Sequence, residues 1–167
     1  MASTLTVDNI VGATTAANVK LPGAVIQAVT TELSTTSGAG TITSASYTEL
    51  TSLRCTITPK LTGSKIYYRA NIMCGNQHTG GSWFASRLQV GSTVISENGF
   101  YANTQYDMIM NHVFHEGFDA TTTTAGVARR YDSYFRGQTA VPLVLNWGSS
   151  ISGAASKSTI TLMEIAQ

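Results

Sequence analysis

Apolar and polar residues alternate with a period of two along much of the chain. Leu53, Cys55 and Ile57 alternate with polar residues, and from Ile66 to Cys74 every second residue is apolar. Successive side chains of a strand point to opposite faces, so this period indicates half-buried strands. The sequence lacks the i, i+3, i+4 repeat of a long amphipathic helix. The pattern predicts an all-β chain of about eight to ten short strands.

Turn signals separate these strands. Pro59 ends the strand that contains Ile57, because proline lacks the backbone N–H that a ladder needs. Gly63-Ser64 predicts a turn, and Gly91-Ser92 predicts the tight turn of a hairpin. Asn98-Gly99 is a further turn signal. Short strands joined by such turns favour an antiparallel β-sandwich.

Several predicted strands have a second face that is not simply polar. The strand that begins at Lys65 mixes aromatic, cationic and apolar groups on the face opposite the core, as subunit interfaces do. Between residues 108 and 115 both faces carry apolar groups, so we expect both to be covered. The predicted core includes Ile66, Tyr68, Ile72, Leu143 and Leu145. The candidates for subunit contact are Tyr67, Arg69, Met73, Tyr134 and Ile165.

Residues 1–23 form a segment that cannot fold by itself. Fixing about 20 residues costs on the order of 20 to 40 kcal/mol of backbone entropy. Offsetting that cost takes more than about 1,000 Å² of apolar burial, which scattered aliphatic residues reach only against another surface. We therefore predict an extended arm over 1–23 and a β-sandwich domain over 24–167. The aliphatic residues of the arm are Leu5, Val7, Ile10, Val11, Val19 and Leu21.

The composition narrows the range of partners. Charged residues make up 11% of the 167 residues, against about 25% in ordinary soluble domains. The net charge of +1 provides no field that would attract nucleic acid or anionic lipid. The chain also lacks a run of about 18 apolar residues, as a membrane span would need. We expect neither nucleic acid nor membrane as a partner, and the low charge favours an assembled particle.

Three stretches resemble a known group of proteins. They are the opening Leu5-Thr6-Val7-Asp8-Asn9-Ile10, the internal Thr56-Ile57-Thr58-Pro59-Lys60 and the closing Ser158-Thr159-Ile160-Thr161-Leu162-Met163-Glu164. The chain resembles short virion proteins and fibre ends of tailed bacteriophages, particularly marine ones, over nearly its whole length. The resemblance implies a trimeric jelly-roll domain of the tumour-necrosis-factor-like type, preceded by a segment that attaches to the particle.

Two functions are compatible with this resemblance. The first is a non-enzymatic capsid decoration, cement or short head-fibre protein on the virion surface, whose arm contacts phage capsid or tail proteins. An arm and a globule without a shaft favour this function. The alternative is a tail-fibre tip or receptor-binding protein, in which aromatic residues beside Gly- and Asn-rich loops contact host surface glycan. The candidates for glycan contact are His78, Trp83, Tyr101 and Tyr106.

Metal binding is not expected within one chain. His112 and His115 are an odd number of residues apart, so on a regular strand their imidazoles point to opposite faces. A threefold axis would bring together three copies of one histidine, which leaves a metal shared between chains open. Cys55 and Cys74 are too widely spaced for a disulfide framework or zinc site, and we expect both to be small buried side chains. We expect no cofactor.

A catalytic site is not expected either. The segment from Gly148 to Gly153 lacks the Gly-x-Ser-x-Gly spacing of a nucleophile elbow. Arg130 or Arg136 is predicted to pair with Asp132 or with a neighbouring subunit. A hydrolase is a third hypothesis, because two carboxylates can pair as a glycosidase requires. The carboxylates considered are Glu97, Asp107, Glu116, Asp119 and Asp132.

Overall fold

The computed structural model describes residues 21–34, 41–76, 82–102, 109–137, 143–145 and 157–167. Within these residues the chain forms ten strands. They are β1 (Val25–Leu33), β2 (Thr41–Ile42), β3 (Thr48–Ile57), β4 (Lys65–Asn76), β5 (Ser82–Val90), β6 (Thr93–Ala102), β7 (Ile109–Phe118), β8 (Arg129–Gly137), β9 (Leu143–Leu145) and β10 (Ser158–Ile165). In the part of the chain that is described, no helix has the length and apolarity needed to cross a membrane.

The strands form two antiparallel sheets. One sheet has six strands, in the order β1-β10-β4-β9-β2, with β7 also paired to β4. One edge of β4 pairs with β10 and then with β9, while its other edge pairs with β7. The second sheet has four strands, in the order β3-β8-β5-β6. β4 is therefore the central strand of the larger sheet.

The long strands alternate between the two sheets in a jelly-roll pattern. β1, β4, β7 and β10 belong to the six-stranded sheet, and β3, β5, β6 and β8 belong to the four-stranded sheet. Strands that are adjacent in sequence therefore often lie in opposite layers, which is the double-sheet arrangement of a jelly roll. The predicted all-β antiparallel sandwich is confirmed.

The core lies between the two sheets and is filled by every second residue of each strand. In β4 the buried residues include Ile66, Tyr68 and Ile72, as the alternation predicts. Leu53 and Cys55 face them from β3, and Cys74 is buried as well. Burial raises the pKa of both thiols, to about 12 for Cys74, so neither resembles a reactive cysteine. The side chains of Leu143 and Leu145 lie outside the described residues.

One predicted turn is present and another is not. Gly91 has a φ of +59° between β5 and β6, which confirms the hairpin at Gly91-Ser92. Asn98-Gly99, in contrast, lies inside β6, where Gly99 is opposite Ala85 of β5. Asn98 donates a side-chain hydrogen bond of 2.5 Å to the Phe114 carbonyl of β7, which holds this part of β6 extended. The turn prediction at Asn98-Gly99 is wrong because strand pairing overrides the local preference.

A buried carboxylate holds the loop that connects the two sheets at one end of the sandwich. Glu164 lies on the inner face of β10 and is fully buried. It accepts hydrogen bonds from the backbone N–H of Lys60 (2.9 Å) and Leu61 (2.8 Å), in the loop between β3 and β4. Ser64 Oγ (2.7 Å) and Gln27 Nε2 (2.8 Å) also donate hydrogen bonds to this carboxylate. Burial raises the pKa of Glu164, but these hydrogen bonds outweigh it and hold the pKa below its usual value.

A buried histidine joins the sheets in a different place. His115 of β7 is 1% exposed, and its Nε2 lies 2.6 Å from Ser86 Oγ of β5. Its Nδ1 lies 2.8 Å from Ser96 Oγ of β6. Burial lowers the pKa of His115 from 6.5 to about 4, so the ring is neutral at pH 7.

We predict that His115 makes the protein less stable as the pH falls from about 6.5 to about 4. The unfolded chain binds this proton and the folded chain does not, so the free energy of unfolding decreases by about 3 kcal/mol over that window. Denaturant titrations of the wild type and of His115→Gln, each at several pH values, give the difference between the two proteins. That difference should change with pH below about 6.5, and a difference that is constant from pH 7 to pH 4 would contradict the prediction.

We also predict that Glu164→Gln lowers the free energy of unfolding by about 1 to 3 kcal/mol at pH 7, because an amide NH₂ faces backbone donors. The pKa of this carboxyl group is lower in the folded chain than the 4.5 of the unfolded chain, so the ionised group stabilises the fold at pH values above 4.5. This contribution is lost as the pH falls through the pKa of the folded state. The difference from wild type should therefore shrink in acid. Glu32→Gln is the control, since Glu32 is exposed and pairs with Lys157. Equal effects of the two substitutions at pH 7 would refute the prediction.

Candidate functional surfaces

The outer face of the six-stranded sheet carries an apolar strip. Strand register places Tyr67 of β4 between Phe118 of β7 and Met163 of β10. Phe114 lies on the same face of β7, and Ile165 lies on the same face of β10, because residues two or four apart share a side of a strand. We call Tyr67, Phe114, Phe118, Met163 and Ile165 the outer strip. Residues from three different strands thus form one surface.

The aromatic residues of the outer strip are open to solvent. Phe118 is 56% exposed and Phe114 is 49% exposed. The Phe118 ring meets Tyr67 edge to face at a centroid distance of 5.4 Å. The Phe114 ring stacks on the His112 ring at 5.8 Å. This face therefore leaves grouped aromatic side chains in contact with solvent.

Polar groups of both signs lie within the same face. Arg69 is opposite Glu116, and its Nε lies 4.0 Å from the Glu116 carboxylate. Tyr67 donates a hydrogen bond from its hydroxyl to the same carboxylate. His112 Nδ1 lies 3.1 Å from Asn71 Oδ1. The face therefore carries apolar and polar groups together, and the Arg69–Glu116 row lies between Phe114 and Phe118 of the outer strip.

The predicted interface residues do not form a single patch. Tyr67, Arg69 and Ile165 lie on the outer face of the six-stranded sheet. Tyr134 lies on the other sheet, where its ring is 5.2 Å from the Arg87 guanidinium. Met73 is only 6% exposed within the chain. Sequence reasoning did not select Phe114, Phe118 or Met163 for this surface, although the period of two from His112 to Phe118 is the signal that identifies the two phenylalanines.

The beginning of the described chain lies beside its end. Gly23 N–H donates to the Ala166 carbonyl (2.9 Å), and Ala166 N–H donates to the Ala24 carbonyl (2.9 Å). Leu21, the last aliphatic residue of the predicted arm, is 58% exposed. The chain therefore enters the domain next to the end of β10, close to Ile165. The other arm residues, Leu5, Val7, Ile10, Val11 and Val19, lie outside the described residues.

A second surface lies on the outer face of the four-stranded sheet. Trp83 of β5 is 61% exposed and is opposite Tyr101 of β6, which is 48% exposed. Their ring centroids are 5.0 Å apart and the ring planes are inclined at 57°. The structure thus pairs two of the predicted glycan-contact residues. His78 and Tyr106 lie outside the described residues.

Beside this aromatic pair lies a depression of about 410 Å³. Strand pairing aligns Gly99 of β6, Ala85 of β5 and Arg136 of β8 in one row across the sheet. Two small residues in neighbouring strands leave the space open, while Trp83 and Arg136 line its sides. We call this depression the notch. Its lining residues are Ala45, Trp83, Phe84, Ala85, Gly99, Arg136 and Gly137.

Two arginines lie against one tyrosine ring at the notch. The Arg136 guanidinium carbon is 4.9 Å from the Tyr47 ring centroid, and that of Arg87 is 4.0 Å from it. The Tyr47 hydroxyl donates a 2.6 Å hydrogen bond to Glu97. Burial and this hydrogen bond raise the pKa of Tyr47, so its hydroxyl stays protonated. Among the described residues, Arg136 has no carboxylate within ion-pair distance.

The candidate catalytic carboxylates that the structure describes are each bound to a donor. Arg130 Nε lies 2.8 Å from Asp132, which confirms that predicted pair. Asp119 accepts from Arg129 (3.1 Å) and from the Tyr131 hydroxyl (2.8 Å). Glu97 accepts a hydrogen bond from the Tyr47 hydroxyl, and Glu116 accepts one from the Tyr67 hydroxyl. Asp107 lies outside the described residues. The arrangement of these carboxylates is that of structural ion pairs and hydrogen bonds.

His112 and His115, the two histidines within the described residues, do not come together. His112 is exposed and His115 is buried, in agreement with their odd spacing on β7. Within the described part of the chain, the structure contains no group of three or more His, Cys, Asp and Glu residues that could hold a metal ion.

Comparison with known proteins gives distant structural likenesses. The chain is similar to Eiger TNF from S. frugiperda at 12% identity and a TM-score of 0.47, over 88% of this chain and 95% of that one. It is also similar to dimeric latent PorU from Porphyromonas gingivalis at 8% identity and a TM-score of 0.48, over 89% of this chain and 14% of that one. No family model matches the chain, and no curated protein matches it. The two-sheet sandwich itself follows from the strand pairing within the chain.

Proposed function

We propose that the chain is a non-enzymatic structural protein of a bacteriophage virion. In this proposal it forms a homotrimer that decorates or cements the capsid, or serves as a short head fibre, and residues 1–23 attach it to the particle. The phage origin rests on the resemblance of the opening and closing motifs. The observation that supports the proposed trimer is the outer strip, an exposed aromatic and aliphatic surface on the central part of the larger sheet.

Copies of the same chain are suitable partners for the outer strip. Burial of a phenylalanine side chain contributes about 1.5 to 3 kcal/mol, and each copy offers Phe114 and Phe118 half exposed. Arg69 and Glu116 supply both signs of charge, so unlike parts of the face can pair across a heterologous contact between two copies. Three such contacts related by a rotation close into a ring. In the closed ring all three outer strips are covered.

The position of the arm is suited to attachment. Residues 21–24 lie beside Ala166, next to the outer strip residue Ile165. In a trimer built on the outer strip, the three arms leave near one another at one end of the assembly. Attachment through three arms is strong even when each arm binds weakly, because the second and third contacts form at a high effective concentration.

We predict that Phe118→Glu converts the trimer to a monomer. Placing a carboxylate in an apolar interface leaves it buried and unpaired, which costs about 3 to 5 kcal/mol for each contact. Sedimentation velocity at micromolar concentration measures the oligomeric state, and circular dichroism verifies the fold. Val127→Glu is the matched control, because Val127 has the same 56% exposure outside the outer strip. A monomeric wild type, or a Phe118→Glu variant that remains trimeric, would exclude this interface.

We predict that deletion of residues 1–22 leaves a folded trimer that no longer attaches to particles. The first strand begins only at Val25, and the contacts of Gly23 and Ala24 with Ala166 are retained. Co-sedimentation with particles stripped of this protein compares the shortened and full-length chains. Unfolding of the shortened chain would show that the arm belongs to the domain. Gold-labelled full-length protein on intact particles distinguishes a head position from the tail-fibre tip of the alternative function.

A further inference from the structure

We propose that the notch binds an acidic saccharide, a sugar unit that carries a carboxylate. Trp83 and Tyr101 contact the apolar face of the sugar ring, and Arg136 binds its carboxylate. The notch lies on the outer face of the four-stranded sheet, whereas the outer strip lies on the six-stranded sheet. The proposal therefore does not depend on the oligomeric state proposed above.

The shape of the notch follows from strand pairing. Ala85 and Gly99 are opposite each other and form a shallow floor, which a larger residue in either strand would fill. Trp83 and Tyr101 lie two residues further along the same two strands and therefore on the same face, with Trp83 in the lining of the notch and Tyr101 beside it. Arg136 is the next residue across the sheet from Ala85. A volume of about 410 Å³ is at the lower end of the range for small-ligand sites.

Trp83 and Arg136 line the notch and Tyr101 lies beside Trp83, a combination that favours an amphipathic ligand. Exposed indole and phenol rings offer apolar faces with a polar edge, which suits a sugar ring that has C–H groups on one side and hydroxyls around it. A purely apolar ligand would leave the Arg136 guanidinium desolvated without a partner. A free inorganic anion would gain nothing from the aromatic pair. The combination favours a sugar with a negative charge.

The electrostatics of the notch favour a carboxylate. Arg87 and Arg136 both lie against the Tyr47 ring, while Glu97 is the carboxylate bonded to its hydroxyl. The ring holds the Arg136 guanidinium by a cation–π contact, which reduces the entropy lost when a ligand binds. A guanidinium presents parallel N–H donors that match the two oxygens of a carboxylate.

Paired titrations with methyl β-D-glucuronide and methyl β-D-glucoside test the proposal, with binding followed by ligand-observed NMR. The two probes differ only at the carboxylate, so we expect the wild type to bind the glucuronide about tenfold or more tightly. Arg136→Gln should remove this preference and leave the affinity for the glucoside unchanged. Trp83→Ala should weaken both probes about two- to tenfold, because it removes the stacking surface that they share. Lys157→Gln, which removes an exposed cation on the other sheet, is the control for charge.

Gly99→Val separates binding from folding. A Cβ at Gly99 would meet only the Phe84 carbonyl oxygen, at 3.8 Å, so the strand accepts a side chain there. Valine is also favoured in strands, and thermal unfolding should show a stability equal to or above that of the wild type. The added side chain occupies the notch, so both probes should lose binding. A Gly99→Val variant that folds and still binds the glucuronide would overturn the proposal.

Three further results would overturn it. A wild type that binds neither glycoside has no saccharide site of this kind. Equal affinities for the two glycosides would remove the role of Arg136. Binding that persists in Trp83→Ala with wild-type affinity would place the ligand away from the notch. Circular dichroism of each variant distinguishes loss of the fold from loss of the site. The side chains of Trp83 and Arg136 are exposed, so replacing either one should leave the fold intact.

Discussion

The buried carboxylate of Glu164 holds the loop that connects the two layers of this sandwich. It accepts hydrogen bonds from the loop that follows β3, from Ser64 just before β4 and from Gln27 of β1, so one group on β10 links its own sheet to the connection with the other sheet. A carboxylate that is fully buried is tolerated only when its oxygens are satisfied, and here they are. His115 has a similar role elsewhere, between β7 and the serines of β5 and β6. Alternation of buried and less buried residues along strands such as β10 leaves the opposite face of each sheet outside.

The two outer faces that result have different chemistry. The outer face of the six-stranded sheet has exposed phenylalanines together with the ion pairs Arg69–Glu116 and Lys157–Glu32, which suits a contact that is partly apolar and partly polar. The outer face of the four-stranded sheet has a small notch with aromatic and cationic walls, which suits a small polar ligand. In the proposed trimer the first face is turned inward and the second is displayed. Assembly and ligand contact therefore use separate surfaces, and a change in one need not disturb the other.

Gly99 illustrates how tertiary pairing gives a local signal a different meaning. Asn-Gly favours a tight turn, because both residues tolerate positive φ. In this chain Asn98 is hydrogen-bonded to β7 and Gly99 is paired with Ala85, so the segment remains extended. The missing side chain then contributes to the notch and not to a turn. The same residue type thus serves either purpose, and the neighbouring strands decide between them.

The sequence by itself determined most of the strands, the buried side of β3 and β4 and the antiparallel sandwich, because a period of two is a local property. The sequence also predicted that His112 and His115 lie on opposite faces and that both thiols are buried, as the structure shows. Only the tertiary structure decided which outward-facing residues meet. Phe118, Tyr67 and Met163 become neighbours through the pairing of β7, β4 and β10, and this pairing separates Tyr134 from them. Register and sheet order depend on contacts between distant segments, and alternation along one strand carries no information about them.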